Sequence, residues 1–382
     1  MSKLVNFCAG ADPNKMPAKK INALLVNVPD HGANQRKIEK AQKMFELSQP
    51  QHVMLDSGGF QMLMAEEKSR KISFDPKLPV KQTAREINLT PKHVMETASI
   101  LNPDIVVGLD FPIGKIKEPV ERQIEFIKKL EYNVPWALES AEWHKKLCPE
   151  AKFFLPIQCY DLEQLDIFLS RIDGLYFDGI SMPVRGLDVC EIALFMTRFY
   201  QLRITRVHLL GTYSFLTIAL GAYMARHLFD WVSLDATSWR FAADHAEYFN
   251  QCDLSRVGLG SNTAIEEEIA NHCPCQYCNG QSFNQIKNVP FKQRVALLRG
   301  HNWYAAENCF RDLYKNSENV TQLQKFLKTR SRQQTKVDEL VTALSLVEIL
   351  KDADVFLIQE LLGGKPKKRK PSRTSRRQTV PA

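Results

Sequence analysis

Short runs of aliphatic and β-branched residues recur along this 382-residue chain, each separated from the next by enough sequence for a helix. They read ALLVNV (23–28), HVMLD (52–56), DIVVGLD (104–110), FFLPIQ (153–158), GLYFDGIS (174–181), RVHLLG (206–211), WVSLD (231–235) and RVGLG (256–260). Continuous apolar runs of this length suit strands buried on both faces of a parallel sheet. Amphipathic segments such as PVERQIEFIKKLEYN and DLEQLDIFLSRI lie between them. Eight such units predict an α/β chain folded as a (β/α)8 TIM barrel.

Composition narrows the function classes. The formal net charge of +8 is carried by the last eighteen residues, which hold eight Lys or Arg and no acid; the body balances 43 basic against 43 acidic residues. That tail has nothing apolar to bury, so 364–382 is expected to be disordered, acting as a phosphate tether, a localisation signal or a merely solvated end. No stretch approaches the roughly 18 apolar residues of a membrane span, and the N-terminus lacks a secretory pattern. A cytoplasmic protein with no membrane partner is expected.

Nine cysteines are present, and three of them fall within six residues: Cys273-Pro-Cys275-Gln-Tyr-Cys278, with His301 downstream. In a reducing compartment such a trio asks for a metal rather than for disulfides. Three thiolates and an imidazole make the closed tetrahedral set of a structural Zn2+ site, with no open position for water. His272 is the rival fourth ligand, awkwardly close to Cys273. The expected organisation is a barrel core over 1–262, a zinc-binding subdomain over 263–310, a helical C-terminal extension over 311–363 and the basic tail. Residues 66–92, rich in Lys and Pro, read as an irregular excursion.

The ends of the apolar runs carry the chemistry. Asp56, Asp110, Gln158, Ser181, Gly211 and Asp235 each close one, and in barrels of this kind the carboxyl ends of the strands form the catalytic rim. A lone strand-end Asp is as readily a helix cap. Three converging on one mouth are better explained by catalysis. Asp56-Ser57-Gly58-Gly59-Phe60-Gln61 is the strongest string, because its glycines let the backbone turn tightly beside a flat ligand.

The DSGGFQ string, the Cys-x-Cys-x-x-Cys cluster and His301-Asn302, in that order on a barrel, closely resemble the tRNA-guanine transglycosylase superfamily over about residues 50–310. The resemblance implies a role for each matching residue. Asp56 would be the general acid/base, and Asp235, in VSLDATSW, the nucleophile. Asp230, in LFDW, is a rival that would begin its strand rather than end it. Phe60 and Leu210 would sandwich the base, with Gly211 beside them. Asp110 would read the guanine edge, and Gln158 and the backbone of Gly179 would contact its carbonyl. The reaction implied is exchange of guanine through a covalent aspartyl-sugar intermediate, on a nucleotide flipped out of its stack.

The chain departs from the bacterial tRNA enzymes in its short N-terminal segment, in Phe-Pro after Asp110 and in Gly179-Ile180-Ser181. The last two changes leave the incoming base open, while the short N-terminal segment and Asp-x-Thr-Ser-Trp after the expected nucleophile resemble the DNA-modifying branch that inserts 7-deazaguanine derivatives. The expected partners are therefore nucleic acid, DNA favoured over tRNA, and a free 7-deazaguanine base; a homodimer or a helper protein stays open. Two other readings compete. A non-catalytic partner subunit would be expected to have lost Asp56 or Asp235, and a glycosidase of free sugars would need neither DSGGFQ nor the cysteine cluster.

Overall fold

The computed structural model describes residues 3–32, 34–69, 80–82, 85–87, 89–259 and 273–363. Eight parallel strands close a barrel: β1 (Leu4–Ala9), β2 (Ala23–Asn27), β3 (His52–Asp56), β6 (Ile105–Val107), β7 (Lys152–Pro156), β8 (Gly179–Pro183), β9 (Arg206–Leu210) and β10 (Trp231–Ala236). Around the barrel they run β1-β10-β9-β8-β7-β6-β3-β2. A short antiparallel pair, β4 (Val80–Gln82) and β5 (Arg85–Ile87), falls between β3 and β6 in sequence.

The sequence reading and the fold differ at the barrel's closure. The run expected over 256–260 supplies no barrel strand among its described residues, 256–259. Its Arg256–Gly258 is β12, paired antiparallel with β11 (Glu247–Phe249) in a separate ribbon. The eighth barrel strand is LVNFCA, which pairs with both β10 and β2. That segment carries Asn6 in its middle, so its apolar run is interrupted, whereas RVGLG looks continuous. The strand expected over 174–181 also begins later, at Gly179, so Ser181 sits mid-strand.

Alternation along each strand sorts the core. Phe7, Ala9, Leu25, Met54, Val107 and Phe154 form the cluster inside the barrel. Val26, Leu55, Val106, Leu155, Val207 and Leu234 face the surrounding helices. The inward series continues upward from Met54 to Asp56, from Phe154 to Gln158 and from Ser233 to Asp235. Two-residue periodicity thus places the polar strand ends at the mouth.

Local signals start the helices. Asp188 and Glu191 form a reciprocal capping box ahead of Val189–Gln201, and Asp161 caps Leu162–Arg171. The helix Phe215–His227 is apolar all round, with every residue from Phe215 to Ala225 buried. The reason is a second layer: Phe291–Lys315 and Gln334–Leu350 both pack against it, covering the face a barrel helix normally exposes. Helices Val320–Arg330, Gln334–Leu350 and Val355–Gly363 follow in the region expected to be a helical extension. Of the expected excursion over 66–92, residues 70–79, 83, 84 and 88 lie outside the described residues, as does the basic tail 364–382.

Candidate active site

β3 ends on Asp56, and the chain turns at once through Ser57 and Gly58, whose φ of +88° favours glycine. Gly59 opens the next helix against the turn after β6. A Cβ there would lie 2.3 Å from Asp110 Oδ1 and 2.8 Å from the Asp110 backbone oxygen. Close approach of two loops therefore requires this glycine. Ser57 donates its hydroxyl to Asp110 Oδ1 at 3.0 Å, and the Gln158 amide donates to Asp110 Oδ2. The Gln158 carbonyl in turn accepts the Ile113 N–H at 3.1 Å. Asp110, Gln158 and Ser57 are all buried, so three strand ends lock into one polar unit.

Asp235 lies across the mouth, 7% exposed. Its Oδ1 accepts the Gly211 backbone N–H at 2.8 Å, and its backbone oxygen accepts the Thr212 N–H at 2.8 Å. Gly211 has φ +81°, the left-handed turn that aims its N–H at the carboxylate. Asp230 precedes β10, where its N–H donates to the Thr205 oxygen at 2.9 Å; it belongs to the opposite end of the barrel.

Electrostatics tie the two sides together. Burial, then the charges of Asp110 and Asp235, push the Asp56 carboxyl up to about 8, against the hydrogen bond from Gly58 N–H. Burial also pushes Asp110 up to about 6, although Ser57, Gln158 and the Lys129 charge pull it down. Asp56 therefore keeps its proton at neutral pH. A carboxyl that holds its proton close to neutrality is suited to proton exchange with a base.

Phe60 stands at the rim with 46% of its surface exposed, and the Arg185 guanidinium lies 5.4 Å from its ring centroid. Leu210 ends β9 beside Pro183, with which it is in register. Gly179 is not at the mouth. It opens β8 at the amino end, where a Cβ would meet the Phe154 ring at 2.7 Å and Arg206 Cβ at 3.0 Å. Its lack of a side chain makes room for Phe154 in the barrel floor, and the base-contacting role expected for it is corrected on that ground. The mouth end of β8 is instead Pro183, followed by Val184 and Arg185. Sequence reading gave no role to Ser57, Arg185 or His208, although parity within RVHLLG places His208 on the same inward face as Leu210.

Cys273, Cys275, Cys278 and His301 are buried, with all ligand atoms within 4.8 Å of one another. The His301 Nδ1 lies 3.3, 3.5 and 3.3 Å from the three sulfurs. About 3.5 Å is the nitrogen–sulfur edge expected of a tetrahedron with bonds of about 2.0 and 2.3 Å, so the donor set fits a metal ion. The other ring nitrogen, Nε2, is 2.9 Å from the Phe249 oxygen, and Tyr248 stacks on the imidazole at 3.7 Å. That partner fixes the tautomer which presents Nδ1 to a metal. His301 lies on Phe291–Lys315, the helix that also packs on β1.

The family model described as queuine tRNA-ribosyltransferase matches residues 18–336. The chain belongs to the tRNA-guanine transglycosylase superfamily, a group of pentosyltransferases that exchange guanine on a TIM barrel bearing a metal-binding cysteine cluster. None of the curated proteins compared with the chain matches it. No helix among the described residues is long and apolar enough to cross a membrane.

Proposed function

We propose that this chain releases guanine from a nucleotide within a nucleic acid, holds the sugar as an ester of Asp235, and installs a 7-deazaguanine derivative in its place. The observation that carries this reading is the meeting of Asp56, Asp110 and Asp235 at one mouth, with Asp56 raised to about 8 by burial and then by the charges of the other two. Asp235 attacks C1′ as the bond to the base breaks. The electron pair leaves with guanine, and Asp56 supplies the proton that neutralises it. The incoming base returns that proton to Asp56, attacks C1′, and the ester opens. Asp110, held by Ser57 and Gln158, accepts the N–H groups of the guanine edge, while Phe60 and Leu210 flank the flipped base. Zn2+ is the ion proposed for the cysteine cluster, in a structural role, and the cytoplasm the compartment.

DNA is the substrate favoured here, because Asp235-Ala-Thr-Ser-Trp239 resembles the DNA-modifying branch; tRNA is the second reading, favoured by the family description. Purified protein is offered radiolabelled guanine with duplex DNA, single-stranded DNA or bulk tRNA in parallel. Incorporation into DNA supports the proposal, incorporation only into tRNA replaces the substrate, and incorporation into none returns the partner-subunit reading. Asp235→Asn should abolish any trapped protein–nucleic acid adduct. An adduct that persists in that variant refutes the nucleophile.

A further inference from the structure

A polar layer lies inside the otherwise apolar barrel, directly beneath Asp235. Ser181, His208 and Ser233 are in register on β8, β9 and β10, and all three are fully buried. The His208 ring meets Phe7 edge-on at 5.7 Å. Its Nδ1 is 2.7 Å from the Ser233 hydroxyl, and its Nε2 lies 3.4 Å from Asp235 Oδ1, finding no hydrogen-bond partner among the described residues. A polar nitrogen left unpaired in a barrel core is destabilising. An apolar side chain would fill the same space without that cost.

We infer that His208 is a positioning residue for the nucleophile, an inference that rests on the base-exchange reading above. A bare Nε2 lone pair facing an ionised carboxylate would be repelled, whereas Nε2–H is attracted. The Ser233 hydroxyl can donate to Nδ1 and so keep the proton on Nε2. Two N–H groups, from His208 and Gly211, then address the same oxygen, Oδ1. Oδ2 is thereby assigned as the oxygen that bonds C1′. When the ester opens and the negative charge returns to Asp235, the same pair of donors receives it on Oδ1, without the reorganisation that solvent would need.

The geometry of the side chains supplies the test. A glutamine places its amide nitrogen about as far from the backbone as Nε2, whereas an asparagine reaches only to the position of Nδ1. His208→Leu should slow adduct formation about tenfold to a hundredfold, as is common when a group that orients a reacting ligand is lost. KM for nucleic acid should stay within about twofold, since substrate binding is untouched. His208→Gln should recover most of the lost rate, and His208→Asn should not. A leucine variant as fast as the parent protein overturns the inference, and so does equal loss in the glutamine and asparagine variants. If His208→Leu does not fold, the glutamine–asparagine comparison decides alone. Absence of any adduct in the unaltered protein is a different result: it sinks the base-exchange reading itself.

Discussion

The Ser57 hydroxyl reaches Asp110 Oδ1 at 3.0 Å, joining the turn after β3 to the turn after β6. Ser57→Ala removes one of the two side-chain donors that hold Asp110 ionised. The expected loss in kcat/KM for guanine is about 1–2 kcal/mol, or roughly tenfold. Because that hydrogen bond lowers an Asp110 pKa of about 6, its loss pushes the carboxyl higher and the variant should suffer more at pH 6 than at pH 8. Labelled-guanine exchange at the two pH values checks this; an equal loss at both would contradict it.

Asp56 carries a proton in the folded chain up to about pH 8, whereas an unfolded aspartate loses it near 3.9. Between those values the native state binds the extra proton, so stability falls as pH rises from about 4 through about 8. Asp56→Asn, which cannot ionise, should therefore melt higher than the parent protein at pH 8, with the gap closing toward pH 4. Guanine release by the parent should decline above about pH 8. Thermal melts at pH 4, 6 and 8 are decisive, and a gap independent of pH would mean that Asp56 is ionised in the native state at neutral pH.

Phe60 is nearly half exposed, so its replacement should act on binding rather than on folding. Phe60→Ala is expected to weaken kcat/KM by about 1–3 kcal/mol through lost base stacking. Arg185→Ala, which takes away the guanidinium over the ring along with its aliphatic stem, should cost about 0.5–1 kcal/mol. Melting temperatures should stay close to that of the parent in both. A large fall in melting temperature for Phe60→Ala would mean the ring is part of the core instead.

One zinc ion per chain is expected by metal analysis, and Cys278→Ser should lower both metal content and melting temperature. Activity should fail with it, although the three cluster cysteines pack in a core separate from the barrel interior. His301 shares a helix with Glu307, whose carboxylate accepts the Asn6 amide on β1 at 2.5 Å. Tyr213, in the loop after Gly211, donates to the same Asn6 at 2.6 Å. A variant that loses the metal yet keeps full stability would show that this link carries no load.

The sequence made the carboxylates legible because each sits where an apolar run stops; parity along the strand then points Asp56 and Asp235 inward, while Asp110 lies three residues past the end of β6. Gly179 misled for the same reason that it is glycine. The resemblance gave its backbone a base contact, but the constraint is the Phe154 ring across the strand pair, which only packing reveals. β1 was hidden because Asn6 breaks its apolar pattern, and the purpose of Asn6 lies 301 residues away on Glu307. His208 was unread because a histidine in an apolar run looks like any satisfied core residue until its neighbour, Asp235, is placed beside it.

The seam between β1 and β10 sets the order in which the enzyme can be completed. Phe7 is in register with Asp235, so the earliest barrel strand must find the latest one before the cylinder exists. During synthesis, strands β2 to β9 could pair with neighbours already made, while β1 would hold one unsatisfied edge until residues 231–236 emerged. The loops carrying Asp56, Asp110 and Gln158 could settle early. Asp235 would join the mouth only after those three, when β10 closes the cylinder against β1.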